Sequence, residues 1–143
     1  MKQTLNYVTY QTFPASTANS LQSISNIKYF IKKGLNVCLY FPLREKTSSD
    51  DLKVLQEYYS FTESLEINGI NHYLPHGRIQ IFKKTMFHIS HFLWSRRTIS
   101  KYFKKNNGDI FFTRSDWIAF FAARKKYKVI FECHQESRIR NFV

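Results

Sequence analysis

Ser16, Thr17, Asn19, Arg114, Glu132 and His134 are the residues in which the chemistry of this sequence concentrates. The hydroxyls and the amide exchange hydrogen bonds with a polyol, the guanidinium fork grips phosphate or carboxylate, and the imidazole titrates near neutrality. With the carboxylates Glu132 and Glu136 they suit a polyhydroxyl or phosphorylated ligand. Each residue also has an ordinary reading: Ser16, Thr17 or Asn19 caps a helix, Arg114 pairs with Asp116 in water, and His134 is a loop histidine. Only a shared location would turn them into a site. No Gly-rich phosphate loop of either standard spacing accompanies them in a chain with four glycines.

The location follows from the elements. Leu5 to Tyr10 reads as a strand, followed by the polar loop Gln11 to Asn19. A helix then carries Leu21, Ile24, Ile27, Tyr29, Phe30 and Ile31 at three- and four-residue steps, and Gly34 caps its end. Leu35 to Phe41 is almost continuously apolar, as suits a parallel strand covered on both faces. Asp50 and Asp51 open a helix to about Tyr59, and a short strand is expected at Ile70 to Leu74, after the turn signal Asn68-Gly69. Ile79 to Lys105 reads as one long helix with Phe82, Met86, Ile89, Leu93, Ile99 and Phe103 on its apolar face. Asp109 to Thr113 is the next strand, Ser115 caps the helix that holds Trp117, Phe120 and Phe121, and Lys128 to Cys133 is the last strand.

This alternation predicts an α/β fold with a mostly parallel, doubly wound sheet in a single domain covering residues 1–143. In the strand order 3-2-1-4-5, the first and fourth strands flank the point where the order reverses, and ligands of such sheets bind there. The loop before Asn19, the turn at Arg114 and the exit at His134 would then meet on one rim.

The chain has 143 residues, 43% of them hydrophobic and 17% aromatic, enough for one substantial core. Its formal charge of +12 implies a positive field that attracts anionic partners. Cys38 and Cys133 lie in apolar runs and read as reduced core thiols of a cytosolic protein, and no apolar run is long enough to span a bilayer.

The opening strand, the loop Phe13-Pro14-Ala15-Ser16-Thr17-Ala18-Asn19, and the helix ending Lys32-Lys33-Gly34-Leu35-Asn36-Val37 resemble the start of family 4 glycosyltransferases. Asp109-Ile110-Phe111-Phe112-Thr113-Arg114 and Val129-Ile130-Phe131-Glu132-Cys133-His134 are similar to two later strands of that family, so the resemblance runs along essentially the whole chain. It implies the Rossmann-like, acceptor-side half of a GT-B enzyme that is retaining and metal-independent. Such an enzyme moves a sugar from a nucleotide sugar, its co-substrate, to a glycan or lipid-linked acceptor, and no other cofactor is implied. On this resemblance Ser16, Thr17, Asn19, Arg114 and Glu132 bind the acceptor, and His134 is the catalytic contact near the transferred sugar. Ser16 to Asn19 replaces the family's commoner Gly-Gly loop, which leaves side-chain contacts to hold the ligand. The donor domain would begin after Val143, so the chain is expected to be a fragment or a half that needs its C-terminal domain in cis or trans, inactive alone.

The long helix suggests a second partner. Lys83, Lys84, Trp94, Arg96, Arg97 and Lys101 mix cations with an aromatic in the way that anionic bilayer surfaces attract, consistent with a peripheral location on the cytoplasmic face. A solvated basic face explains the same residues. The alternative function is therefore a non-catalytic basic α/β module that binds an anionic membrane or nucleic acid, although no nucleic-acid motif is present. His88 and His91 are spaced to share a metal but lack a third ligand, and His72 and His76 are expected at the surface.

Overall fold

Apolar strands alternate with helices along this chain, and the result in the computed structural model is one parallel sheet covered on both faces. The structure describes residues 3–72, 83–103 and 109–133. The elements are β1 (Thr4–Val8), α1 (Ala18–Lys32), β2 (Asn36–Leu43), α2 (Leu52–Tyr59), β3 (Glu66–Asn71), α3 (Lys83–Lys101), β4 (Ile110–Thr113), α4 (Asp116–Arg124) and β5 (Lys128–Phe131). Every pairing is parallel, as expected of a doubly wound sheet, and the strand order is β3-β2-β1-β4-β5. The start of the expected long helix at 79–82 and its expected stop at 106–108 lie outside the described residues.

Alternation along the strands divides the core between the two faces. Leu5, Tyr7, Leu39, Phe41 and Phe112 pack with Ile24 and Ile27 of α1 and Leu55 of α2. Val8, Ile70 and Phe111 pack with Trp94 and Ile99 of α3 and Ile118 and Ala122 of α4. The adjacent residues Phe111 and Phe112 thus serve opposite faces: Phe112 meets Tyr7 at 5.0 Å, while Phe111 meets Phe103 at 4.7 Å.

Local chemistry sets the helix ends. Thr17 accepts from the Ser20 amide at 3.3 Å and starts α1, and Asp51 accepts from the Lys53 amide at 2.9 Å and starts α2. Gly34, at φ +87°, takes the left-handed turn after α1 that a side chain would resist.

Four expectations are corrected. β3 begins earlier than expected, so Asn68 and Gly69 pair with Tyr40 and Phe41 inside the strand instead of forming a turn before it. In α1 the buried face is Ser20, Ser23, Ile24 and Ile27, which leaves Leu21 and Tyr29 exposed. In α3 the buried face includes Ser90, Trp94, Ser95, Thr98 and Ile99, while Ile89 and Leu93 are exposed. Small hydroxyl side chains let a helix approach the sheet closely, and hydropathy alone scores them as surface. Cys133 lies past the end of β5 and is exposed, whereas Cys38 is buried in β2 as expected.

Candidate functional site

A cleft of about 280 Å³ opens where the strand order reverses, between the exits of β1 and β4. Thr9, Tyr10 and Gln11 lead out of β1 along one wall, Asn19 and Ser23 of α1 form a second, and Arg114, Ser115 and Asp116 between β4 and α4 form a third. Phe131 and Cys133 border it at the end of β5, and Phe87 and His91 of α3 close it.

Of the predicted site residues, Asn19 and Arg114 line this cleft. Arg114 is fixed from two elements: its Nε lies 3.4 Å from Glu132 Oε2, and its Nη2 donates to Gln22 Oε1 at 3.1 Å. Glu132 also accepts from Asn26 Nδ2 at 3.1 Å, so it holds Arg114 against α1 and is not itself among the cleft-lining residues. The expected Arg114–Asp116 pairing gives way to this one. Thr17 has the ordinary role, capping α1 while its hydroxyl donates to Ser20 Oγ at 2.9 Å. Ser16 is exposed and is not among the lining residues. His134, Glu136, His76 and residues 138–140 lie outside the described residues. The neighbouring Cys133 does share the cleft with Asn19.

The loop that carries Ser16 to Asn19 is anchored rather than draped. Phe13 is fully buried, 5.1 Å from the ring of Phe41, and its carbonyl accepts from the Ser49 amide at 3.0 Å. The Tyr59 hydroxyl accepts from the Ala15 amide and donates to the Ala15 carbonyl, both at 2.7 Å.

A histidine-centred group was not legible in the sequence. The Tyr10 hydroxyl is hydrogen-bonded to His72 Nε2 at 2.7 Å and to Ser90 Oγ at 2.9 Å, which corrects the surface expectation for His72. His91 stacks on the Tyr10 ring at 4.2 Å, and the Arg44 guanidinium lies 4.6 Å from the centre of the same ring. Burial, aided by the positive fields of Arg44, His88 and His72, pushes the His91 imidazole down to about 3. Burial also raises the Tyr10 phenol and lowers Arg44 from their ordinary values.

Ser115 occupies the N-cap position of α4 but makes no side-chain cap bond there, contrary to expectation; its hydroxyl shares a hydrogen bond with His91 Nε2 instead. His88 and His91 sit on α3, and among the described residues no group of three or more His, Cys, Asp or Glu gathers.

On α3, Lys84, Arg96, Arg97 and Lys101 are exposed. Trp94 is 5% exposed and packs into the core, so the expectation that its ring meets a membrane is corrected. Among the described residues no helix is long and apolar enough to cross a membrane. No protein-family model, no curated protein and no solved structure matches the chain.

Proposed function

We propose that the cleft binds a polyhydroxyl acceptor and that the chain is the acceptor-side half of a retaining, metal-independent GT-B glycosyltransferase. The observation that carries this reading is that Asn19, in the first turn of α1, and Arg114, at the exit of β4, line one cleft at the reversal of strand order. Asn19 offers an amide donor and acceptor to sugar hydroxyls, and Arg114 offers charge-assisted donors to an acidic or phosphorylated group. Catalysis in the complete enzyme would rest on holding an acceptor hydroxyl against the anomeric carbon of a nucleotide sugar bound by a second domain. His134 is the proposed polar contact at that carbon. The test is saturation-transfer NMR of the chain with a panel of hexoses, sugar phosphates and disaccharides. Transfer to at least one of them, abolished in Asn19→Ala and Arg114→Ala, is the expected result. Absence of transfer across the panel would remove the acceptor reading.

A second reading is favoured by one surface. Ile89 and Leu93, 46% and 42% exposed, share α3 with exposed Lys84, Arg96, Arg97 and Lys101, the mixture that a peripheral helix presents to an anionic bilayer. It describes a basic α/β module at the cytoplasmic membrane surface, with or without transfer chemistry. Flotation with anionic vesicles and not with neutral ones supports it; equal behaviour with both excludes it.

A further inference from the structure

We propose that Ser115 and His91 form a nucleophile–base pair that cleaves a short-chain carboxylic ester of a polar alcohol in this cleft. The proposal is independent of the sugar-transfer reading, since it stands on the two side chains and their supports.

Acyl transfer needs a hydroxyl in hydrogen-bond contact with a base, a fixed base, donors for the developing oxyanion, and space. The start of α4 supplies the hydroxyl and the donors, and α3 supplies the base. β4 ends at Thr113, whose Oγ1 accepts from the Ser115 amide at 3.0 Å and so fixes the turn into α4. Ser115 keeps its hydroxyl for His91 and leaves the first turn of α4 without a side-chain cap. The first amides of a helix lack intrahelical acceptors, so those of α4 are donors beside the nucleophile, at the positive end of the helix dipole. Among the described residues no carboxylate orients His91. Its plane is set by stacking on Tyr10, with ring planes 12° apart, and by Phe87 at 6.0 Å. Tyr10 is in turn held by His72 and Ser90. The cleft of about 280 Å³ suits a small ester, and Asn19 and Arg114 give it a polar wall.

In the first step Ser115 Oγ bonds to the ester carbonyl carbon and its proton passes to the imidazole of His91. Collapse of the tetrahedral adduct breaks the bond to the alcohol oxygen, which takes that proton and leaves. Water then attacks the carbonyl carbon of the Ser115 ester and gives a proton to His91; the bond to Ser115 Oγ breaks, Oγ takes that proton back, and the carboxylic acid is released. The sum is ester plus water giving alcohol plus acid.

The charged and titratable groups around His91 come from every neighbouring element: Tyr10 after β1, Arg44 after β2, His72 after β3, His88 on α3, and Arg114, Asp116 and Cys133 elsewhere in the cleft. With the imidazole pushed down to about 3, it is a weak base that stays unprotonated in acid.

The test treats the chain with a fluorophosphonate probe and locates the adduct by mass spectrometry. The expected result is a single adduct on Ser115, absent in Ser115→Ala and formed roughly a hundredfold more slowly in His91→Gln. No adduct on Ser115, or one formed equally fast in a folded His91→Gln, overturns the proposal. If His91→Gln does not fold, the wild-type pH profile decides: a labelling rate that reaches a plateau within pH 4 to 9 supports the pair, and a rate that rises tenfold with every pH unit across that range, as an unassisted serine gives, contradicts it. Labelling can succeed while sugar binding fails, or the reverse.

Discussion

His91 lies flat on Tyr10, ring centroids 4.2 Å apart and planes 12° from parallel. The contact ties α3 to the exit of β1 at the cleft and holds an imidazole beside the cation of Arg44.

The first consequence concerns pH. A histidine held at about 3 in the fold and near its ordinary value when unfolded leaves the unfolded chain with the extra proton between those limits. Its contribution to stability is complete above about pH 6.5 and is lost as pH falls toward 3, with a slope of at most about 1.4 kcal/mol per pH unit. Urea midpoints should fall between pH 7.5 and pH 4.5, and less steeply in His91→Gln. Parallel pH curves for the two proteins would show that His91 does not carry the effect.

Arg114 is the second point of leverage. Its Nε faces Glu132 and its Nη2 binds Gln22, so removing the carboxylate should loosen it without removing its charge. For a saccharide ligand with an anionic group, Arg114→Ala should raise Kd about tenfold or more, and Glu132→Gln should raise it less. Calorimetric titration separates the two; an unchanged Kd in Arg114→Ala would detach this residue from the ligand.

The loop ahead of Asn19 depends on Phe13 and Tyr59. Phe13→Ala should cost about 3–5 kcal/mol, because it empties a fully buried aromatic site. Tyr59→Phe removes the hydroxyl that bonds both backbone groups of Ala15 and should cost about 1–2 kcal/mol, leaving secondary structure intact by circular dichroism.

Gly69 shows why β3 tolerates a glycine at its centre. A Cβ there would lie 2.7 Å from Leu43 Cδ2 and 2.8 Å from Asp50 Cβ, so Gly69→Ala should destabilise by about 1–3 kcal/mol in urea unfolding. Gly34→Ala has open space but the wrong backbone, φ +87°, and should cost about 1–2 kcal/mol through strain alone.

The parallel α/β architecture could be read from the sequence because each connection is long enough for a right-handed crossover, and the strand order is the usual one for a doubly wound sheet. That order locates the reversal between β1 and β4, and with it Asn19 and Arg114. Hydropathy pattern failed where burial is polar. Ser90, Ser95 and Thr98 face the core of α3, so the apolar stripe through Ile89 and Leu93 points outward. β3 is an edge strand with a single buried residue, Ile70, too weak a pattern to fix its start. The contact of Ser115 with His91 joins elements by packing of α3 against α4, and neither residue carries a local signal beyond an N-cap and a helix position. Glu132 reads as a ligand group from its place after β5, but the nearer cation Arg114 takes it.

Amide-shift mapping during titration with the saccharide that gives the strongest saturation transfer tests the central proposal most directly. Shifts should concentrate at Asn19, Ser23, Arg114 and Ser115, the residues that meet at the reversal of strand order. Shifts confined to the outer face of α3, around Ile89, Leu93 and Arg97, or spread without focus, would contradict a sugar site in this cleft.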